Sequence, residues 1–404
     1  MQKIRNNSAV KNAIMIGSMC SLSYLAVYFA RNILGTVSPQ MIESGAFTTE
    51  GIGSLSSLYF ITYAVGQLIN GAIGDKIKAR YMISFGLAMA GVCNLLFSMS
   101  TQSFALSYAA YGLTGFFLSM IYGPMTKVVA ENTEPIYATR CSLGYTFSSF
   151  FGSPLAGVAA MLLAWQGVFA ASSAALIIMG AICFVVFFLF EKKGIVKYGQ
   201  YTRKKEQGGS IRVLLKHRII KFTLISIITG VVRTTVVFWL PTYTAQYLGF
   251  SADTSAMIFT VATFIISMTT FVAIFVYEKL GRDLNKTVLL AFCAAAVGFA
   301  LVYLVKMPIF NICFLVAAIM SSNCAASMLW SRYCPSLRDT GMVSGATGFL
   351  DFVSYMSASA SSTIFANAVS SIGWSGLILV WLGLMSAGIV VALPYRRKNG
   401  GAQA

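Results

Sequence analysis

The chain has 404 residues, of which 57% are hydrophobic and only 10% are charged. This composition, with a mean hydropathy of +0.76, indicates an integral membrane protein and excludes an ordinary water-soluble domain. The net charge of +17 suggests nucleic-acid binding at first sight, but the basic residues fall in polar segments between apolar runs, so we expect no nucleic-acid partner.

Apolar runs recur along the chain, each long enough to cross a membrane, which takes about 20 helical residues. We therefore predict an all-α membrane protein with twelve transmembrane helices. The first run is too long for the apolar core of a cleaved signal peptide. The predicted helices 1 to 12 cover residues 14–41, 52–74, 81–99, 104–129, 139–163, 167–190, 219–246, 253–278, 287–305, 308–331, 341–366 and 371–394.

Basic residues mark one side of the membrane. The opposite connections carry mainly Glu43, Glu50 and Asp253, with Lys306 as the lone clear cation. Because basic connections stay in the cytoplasm, this pattern places both termini there and predicts a multi-pass protein of the plasma membrane, such as a bacterial inner membrane. The basic clusters lie at residues 3–11, 76–80, 279–286 and 396–398.

One long basic connection divides the chain. We predict an N-terminal six-helix half at 1–190, a cytoplasmic linker at 191–218 and a C-terminal six-helix half at 219–404. The linker is rich in lysine and arginine and is interrupted by Gly208 and Gly209. We interpret it as a solvated segment that sets the topology, with binding of anionic lipid headgroups as the alternative.

The two halves repeat the same features. Arg31 precedes Pro39 by eight residues, and Arg233 precedes Pro241 by eight residues at an offset of 202. Two parallel repeats of six helices are typical of the major facilitator architecture, in which the substrate site lies near the midplane between the halves. We therefore expect two pseudo-symmetric halves around a central site.

Arg31 and Arg233 are each embedded in a long apolar helix. A guanidinium keeps its charge there, and placing one near the centre of a membrane helix costs roughly 2.5–3.5 kcal/mol on insertion scales. Intramembrane charges therefore face a cavity or a partner. The symmetric pair predicts a central anion site, with structural pairing to a carboxylate or to helix carbonyls as the alternative.

The connection after helix 2 resembles a signature of the same superfamily. It reads GAIGDKIKAR over residues 71–80. Its acid and bases can pair across the cytoplasmic closure in one conformation and release in the other. Asp75, Lys76 and Arg80 are therefore candidates for a cytoplasmic gate, together with Glu278, which occupies the corresponding place after helix 8.

Helix 1 carries Tyr24, Tyr28 and Arg31, and helix 7 carries Arg233 and Trp239. These positions resemble the substrate motifs of the organophosphate:phosphate antiporter family of glycerol-phosphate and hexose-phosphate exchangers. The resemblance implies a secondary active transporter that binds a sugar phosphate, sugar acid or other carboxylate through paired arginines and works by alternating access. That family also includes a membrane sensor of hexose phosphate, so a receptor without net transport is the alternative.

Other positions differ from the phosphate-exchanger pattern. Relatives typically carry a lysine in helix 2 and a histidine in helix 5, where this chain has Gln67 and Phe147. Both carboxylates and phosphate esters therefore remain candidate solutes. Lys127 in helix 4 takes the place of a family arginine, with snorkelling to the membrane interface as the alternative. Tyr145 in helix 5 completes the substrate-binding candidates.

Asp351 lies about ten residues into helix 11, where relatives tend to have glycine. A carboxylate at that depth is costly unless it is paired or protonated. One hypothesis is that Asp351 pairs with Arg233 or Lys127 in the empty site and takes up a proton as the anion arrives. The other is a fixed counter-ion or a contact to solute hydroxyls. The coupling ion is accordingly a proton or phosphate.

No sequence motif points to catalysis. The chain has no Walker-type phosphate loop, zinc motif or catalytic triad, so we expect neither an enzyme nor a cofactor. The eight cysteines are spaced singly, which favours packing over metal binding. The expected partners are a small anionic solute and membrane lipid, and the resemblance implies a monomer.

Overall fold

The computed structural model describes residues 2–74, 77–100, 102–198, 215, 217–337 and 343–393. These residues form twelve long helices in the predicted order, and the all-α prediction is confirmed. Glycine 373, with φ +69°, divides the last helical stretch into α11 and α12. Helices α1 to α12 cover Gln2–Glu43, Thr49–Gly74, Ala79–Met99, Phe104–Asn132, Pro135–Leu162, Trp165–Lys192, Ile219–Gln246, Ala252–Lys279, Leu284–Leu304, Pro308–Tyr333 and, for the last two together, Val343–Ala392.

Within the described residues, ten stretches are apolar and long enough to cross a membrane, and one of them holds both α11 and α12. The remaining helix, α5, ends in the shorter apolar stretch Phe151–Leu162. Apolar side chains on both the buried and the exposed faces of these helices suit a surrounding of lipid.

Four helices depart from regular α-helical geometry. Helix α4 is interrupted between Leu118 and Tyr122, and α8 between Ser267 and Thr269. Helix α7 contains a π-helical segment at Val231–Val236, and α10 ends in another at Leu329–Tyr333. Irregular backbone is tolerated at membrane depth where it lines a cavity, and π-segments are frequent at functional sites.

The first six helices meet the last six through tight contacts at glycines. A Cβ on Gly35 of α1 would lie 2.8 Å from the Phe238 ring of α7. Gly53 of α2 packs in the same way on Ala366 of α11, and Gly157 of α5 packs on α8. Only the absence of a side chain permits such an approach.

Several polar contacts between the two halves lie at one end of the bundle, where α1 ends and α2 begins; we call this the closed end. Ser38 hydrogen bonds to Thr242 at 2.6 Å, and Gln246 donates to Thr49 at 3.3 Å. The tight glycine contacts between the halves, at Gly35, Gly53 and Gly157, also lie toward this end. We call the opposite end, where α2 ends and α3 begins, the open end. Two further pairs join the halves: Glu50 with Ser370 at the closed end, and Ser57 with Ser359 about two turns further along α2.

At the open end, the candidate gate residue Arg80 pairs within its own half. Its guanidinium lies 3.0 Å from the Glu191 carboxylate of α6, and Tyr198 donates to the same carboxylate at 3.0 Å. Burial raises the pKa of the Tyr198 phenol. The amide of Lys197 donates to Asn132 at 2.6 Å, so the start of the predicted linker packs on the first half. Asp75 and Lys76 lie outside the described residues, and Glu278 is exposed at the end of α8.

Candidate functional site

A cavity of about 460 Å³ lies between the two halves, and both predicted arginines line it. Its walls come from α1, α2, α4, α5, α7, α8, α10 and α11. The irregular segments of α7, α8 and α10 are among them, which connects the unusual backbone to the cavity. Its volume falls in the range of small-molecule sites, roughly 300–1,000 Å³.

Arg31 is surrounded by aromatic rings. Its guanidinium lies 4.8 Å from the centroid of Tyr355, 5.2 Å from Tyr63, 5.4 Å from Tyr28 and 5.8 Å from Phe60. The quadrupoles of these rings stabilise the cation without neutralising it. One nitrogen donates to the Tyr355 hydroxyl at 2.8 Å, which joins the two halves through the site.

Arg233 belongs to the π-helical segment of α7 and lies 6.0 Å from the Trp330 ring of α10. Among the described residues, neither Arg31 nor Arg233 has a carboxylate within ion-pair distance. A guanidinium has five donors in a planar fork that matches carboxylates and phosphates. Two partly buried cations facing one cavity therefore form a site suited to an anion.

The helix 1 tyrosines extend an aromatic cluster beside Arg31. The Tyr24 ring lies 4.9 Å from Tyr28, 5.6 Å from Tyr122 and 5.9 Å from Tyr145, measured between centroids. Tyr28 and Tyr122 line the cavity, whereas Tyr24 and Tyr145 are buried behind them. The first pair can contact a solute directly, and the second pair holds those rings in place.

The other predicted binding residues lie apart from the cavity wall. Trp239 is fully buried and packs on Phe238 and against Gly53, where α7 meets α2. Lys127 is partly buried on α4 and has an interaction of its own. Phe147 is part of α5, but its side chain lies outside the described residues.

Asp351 of α11 lies within reach of both arginines. Arg233, Arg31 and Gln67 of α2 all lie near enough to its carboxylate to interact with it electrostatically. Neither arginine approaches it within 4.0 Å, and no ion pair of Asp351 is found among the described residues. The site therefore combines two guanidiniums with one carboxylate that leaves both of them accessible to an anion.

Sequence reasoning missed Tyr63 and Tyr355. Each lies four residues from a residue that was singled out, Tyr63 before Gln67 and Tyr355 after Asp351. Residues four apart share one face of a helix. Inspecting the positions one helical turn before and after each singled-out polar residue identifies both tyrosines.

The sequence model of the Major Facilitator Superfamily matches residues 20–362. The chain belongs to the major facilitator superfamily. Members of this superfamily are membrane transporters rather than enzymes, which confirms the prediction of a non-enzymatic, multi-pass membrane protein. The fold agrees, because a bacterial homologue of the human lysosomal transporter Spinster aligns with a TM-score of 0.73 at 12% identity, over 94% of this chain and 93% of that one.

Curated relatives of this transporter include the membrane sensor protein UhpC of Escherichia coli strain K12, 23% identical over 93% of this chain and 90% of the relative. The Salmonella typhimurium UhpC is 39% identical over 90 residues, a stretch that is only 20% of that protein. The phosphoglycerate transporter of Salmonella typhimurium is 22% identical over 90% of this chain and 84% of the relative. These relatives confirm the resemblance to the organophosphate:phosphate antiporter family.

Proposed function

We propose that this protein is a secondary active transporter of a small organic anion, which it binds between Arg31 and Arg233. The observation that carries the proposal is that one guanidinium from each half lines a single cavity and that no carboxylate among the described residues pairs with either at ion-pair distance. Charged side chains within the membrane are retained for function. The solute is a sugar phosphate, a sugar acid or another carboxylate, in keeping with a relative named phosphoglycerate transporter.

Alternating access follows from the charges. In the empty site the two guanidiniums repel each other across the cavity, and a bound anion neutralises both. The halves then close over the anion at the open end while the contacts at Gly53 and Gly157 separate. This motion is rigid-body rocking of one half against the other. The positive-inside pattern assigns the open end and both termini to the cytoplasmic side of a bacterial inner membrane.

Asp351 supplies a route to proton coupling. Its carboxylate is attracted by the same two arginines that bind the solute, and Gln67 of the other half lies near it. An arriving anion competes for those arginines, and the carboxylate then gains a proton because its favourable partners are taken. The proton would enter and leave with the anion. The alternative to proton uptake by Asp351 is antiport, in which the solute is exchanged for phosphate.

A sensor that binds the solute without net transport is the second candidate, because a relative covering most of the chain is named membrane sensor protein UhpC. Such a protein needs the same anion site but no flux. Binding alone therefore does not separate the two functions.

Counterflow in proteoliposomes separates them. Purified protein is reconstituted with unlabelled phosphate inside, and entry of labelled phosphate is measured; a parallel set is preloaded with unlabelled gluconate and given labelled gluconate. The proposal predicts counterflow of at least one anion that is lost in Arg31→Ala, with equal reconstitution of both proteins. Arginine-dependent binding with no flux of either anion would instead identify a sensor.

A further inference from the structure

The two sides of the cavity differ in chemistry. Around Arg31 the wall is aromatic, with Tyr28, Phe60 and Tyr355. The opposite wall comes from α7, α8 and α10 and carries neutral hydroxyl and amide groups beside Arg233. Apart from Arg233, this wall has no charged side chain among the described residues that line it. The polar members of the wall include Thr234, Thr263, Ser267, Thr270, Asn323 and Ser327.

Asn323 is the most informative member of this polar wall. Its side-chain oxygen is buried and has no hydrogen-bond partner within the described part of the chain. Buried polar atoms are almost always paired, so an unpaired one in a native structure needs an explanation. The terminal torsion of an asparagine is broad and roughly two-fold, so rotation about it can present either the oxygen or the nitrogen of the amide to the cavity.

Two hydroxyls on the same wall are also unpaired among the described residues. Thr270 and Ser327 have no side-chain hydrogen bond in the described residues, although hydroxyls in membrane helices usually bond to their own backbone. Thr263 shows the usual arrangement, donating to the Phe259 carbonyl at 2.7 Å. Asn323 and Ser327 are one turn apart on α10 and share a face, and Thr270 follows the interruption of α8.

We propose that Asn323, Thr270 and Ser327 form a neutral subsite that binds hydroxyl groups on the body of the anion. The inference rests on the proposed function and names its solute class: a polyhydroxylated anion. The charged group lies between the arginines, and hydroxyls of the body donate to and accept from the amide and the two side-chain hydroxyls. An alkyl anion of equal charge leaves these groups unpaired, which disfavours it.

The test compares anions that share a charged group but differ in the body. Gluconate is paired with acetate and glucose 6-phosphate with methyl phosphate, and the dissociation constant of each is measured on the purified full-length protein in detergent. The wild type is expected to prefer the hydroxylated member of a pair by more than roughly tenfold, the effect of one or two hydrogen bonds. Asn323→Leu is expected to lower that preference by roughly tenfold while leaving the affinity for acetate and methyl phosphate unchanged.

Two further variants keep the result interpretable. Thr270→Val conserves shape and removes only the hydroxyl, so it decides the matter if Asn323→Leu fails to fold. Ser321→Ala is the matched control, because Ser321 lies on α10 but is not part of the cavity wall, and its hydroxyl donates to the Ala317 carbonyl. The control should keep the wild-type preference.

Three outcomes are informative. Loss of preference in Asn323→Leu or Thr270→Val, with the small anions still bound, supports the subsite. An unchanged preference in both variants overturns it while leaving the anion site intact. Failure of all four anions to bind the wild type, or binding that Arg31→Ala does not weaken, overturns the proposed function itself.

Discussion

Replacing Gly53 by alanine is expected to drive the transporter away from the conformation described here. A Cβ at this position would lie 3.0 Å from the Ser362 carbonyl oxygen of α11, 3.4 Å from the Trp239 ring and against the Ala366 methyl group. A backbone carbonyl and an alanine methyl cannot rotate away, so α2 and α11 must move apart. The contact belongs to the closed end alone and is released when the halves separate there.

The size of the effect follows from packing energies. Overpacking a tight contact costs roughly 1–3 kcal/mol. Alanine also favours a helix over glycine by about 1 kcal/mol, but that gain is the same in both conformations and cancels from their ratio. The ratio of open to closed conformations at this end should therefore rise by roughly 5- to 150-fold.

Spin labels at Ser44 and Ser251 report this change, because both residues are exposed at the closed end and belong to different halves. Distances between the labels are measured by double electron–electron resonance in a background that lacks the accessible Cys293 and Cys313. Gly53→Ala should add or enlarge a population at longer distance. A Cβ on Gly383 of α12 would meet nothing within 4 Å, so Gly383→Ala is the matched control.

The reasoning is refuted if Gly53→Ala keeps both the distance distribution and the melting temperature of the wild type. That result would mean that the two helices absorb a methyl group without moving. A lower melting temperature with an unchanged distribution would mean that the contact is equally tight in both conformations. Either result contradicts a role for this glycine in the conformational change.

Three further substitutions probe the site and the open end. Asp351→Asn cannot ionise, so its uptake should lose the response to an imposed pH gradient; a full response in this variant would exclude coupling through Asp351. Arg80→Ala breaks the buried ion pair with Glu191, which costs up to roughly 3–5 kcal/mol. Because one kcal/mol corresponds to about 2–4 °C in larger domains, the melting temperature should fall by several degrees. An unchanged melting temperature would show that the pair contributes nothing to stability. Tyr355→Phe removes the 2.8 Å hydrogen bond from Arg31 and should destabilise the closed-end conformation by about 1 kcal/mol. The same spin labels should then show a population at longer distance. An unaltered distance distribution would show that this hydrogen bond does not stabilise the closed end.

The fold was largely predictable because its determinants are local. Runs of apolar residues need only the length of a membrane crossing to be assigned, and the observed helices follow the predicted order. Arg31 and Arg233 stood out for the same reason, since a charge in an apolar run is rare. Their meeting in one cavity was inferred from the repeat and agrees with the structure.

The remaining parts of the site depend on helix orientation, which an apolar sequence does not encode. Trp239 shares a short motif with Arg233 but packs against Gly53 of α2 instead of lining the cavity, because residues six positions apart lie on different faces of a helix. Tyr63 and Tyr355 are ordinary aromatic residues in apolar helices, and only their approach to Arg31 reveals a role. Gly53 has no sequence signature that distinguishes a contact between halves from a contact within one.

The most direct test of the central claim is the dissociation constant of one bound anion in Arg31→Ala, Arg233→Ala and the double variant. Gluconate and glucose 6-phosphate serve as probes, and Lys11→Ala is the control, since Lys11 is an exposed cation on the same helix as Arg31. A hydrogen bond from a charged group contributes about 1.5–3 kcal/mol, so each single variant should bind roughly 10- to 150-fold more weakly. The double variant should lose less than the two single losses combined, because both arginines hold the same anion. Wild-type affinity in either single variant would contradict an anion site shared between the two halves.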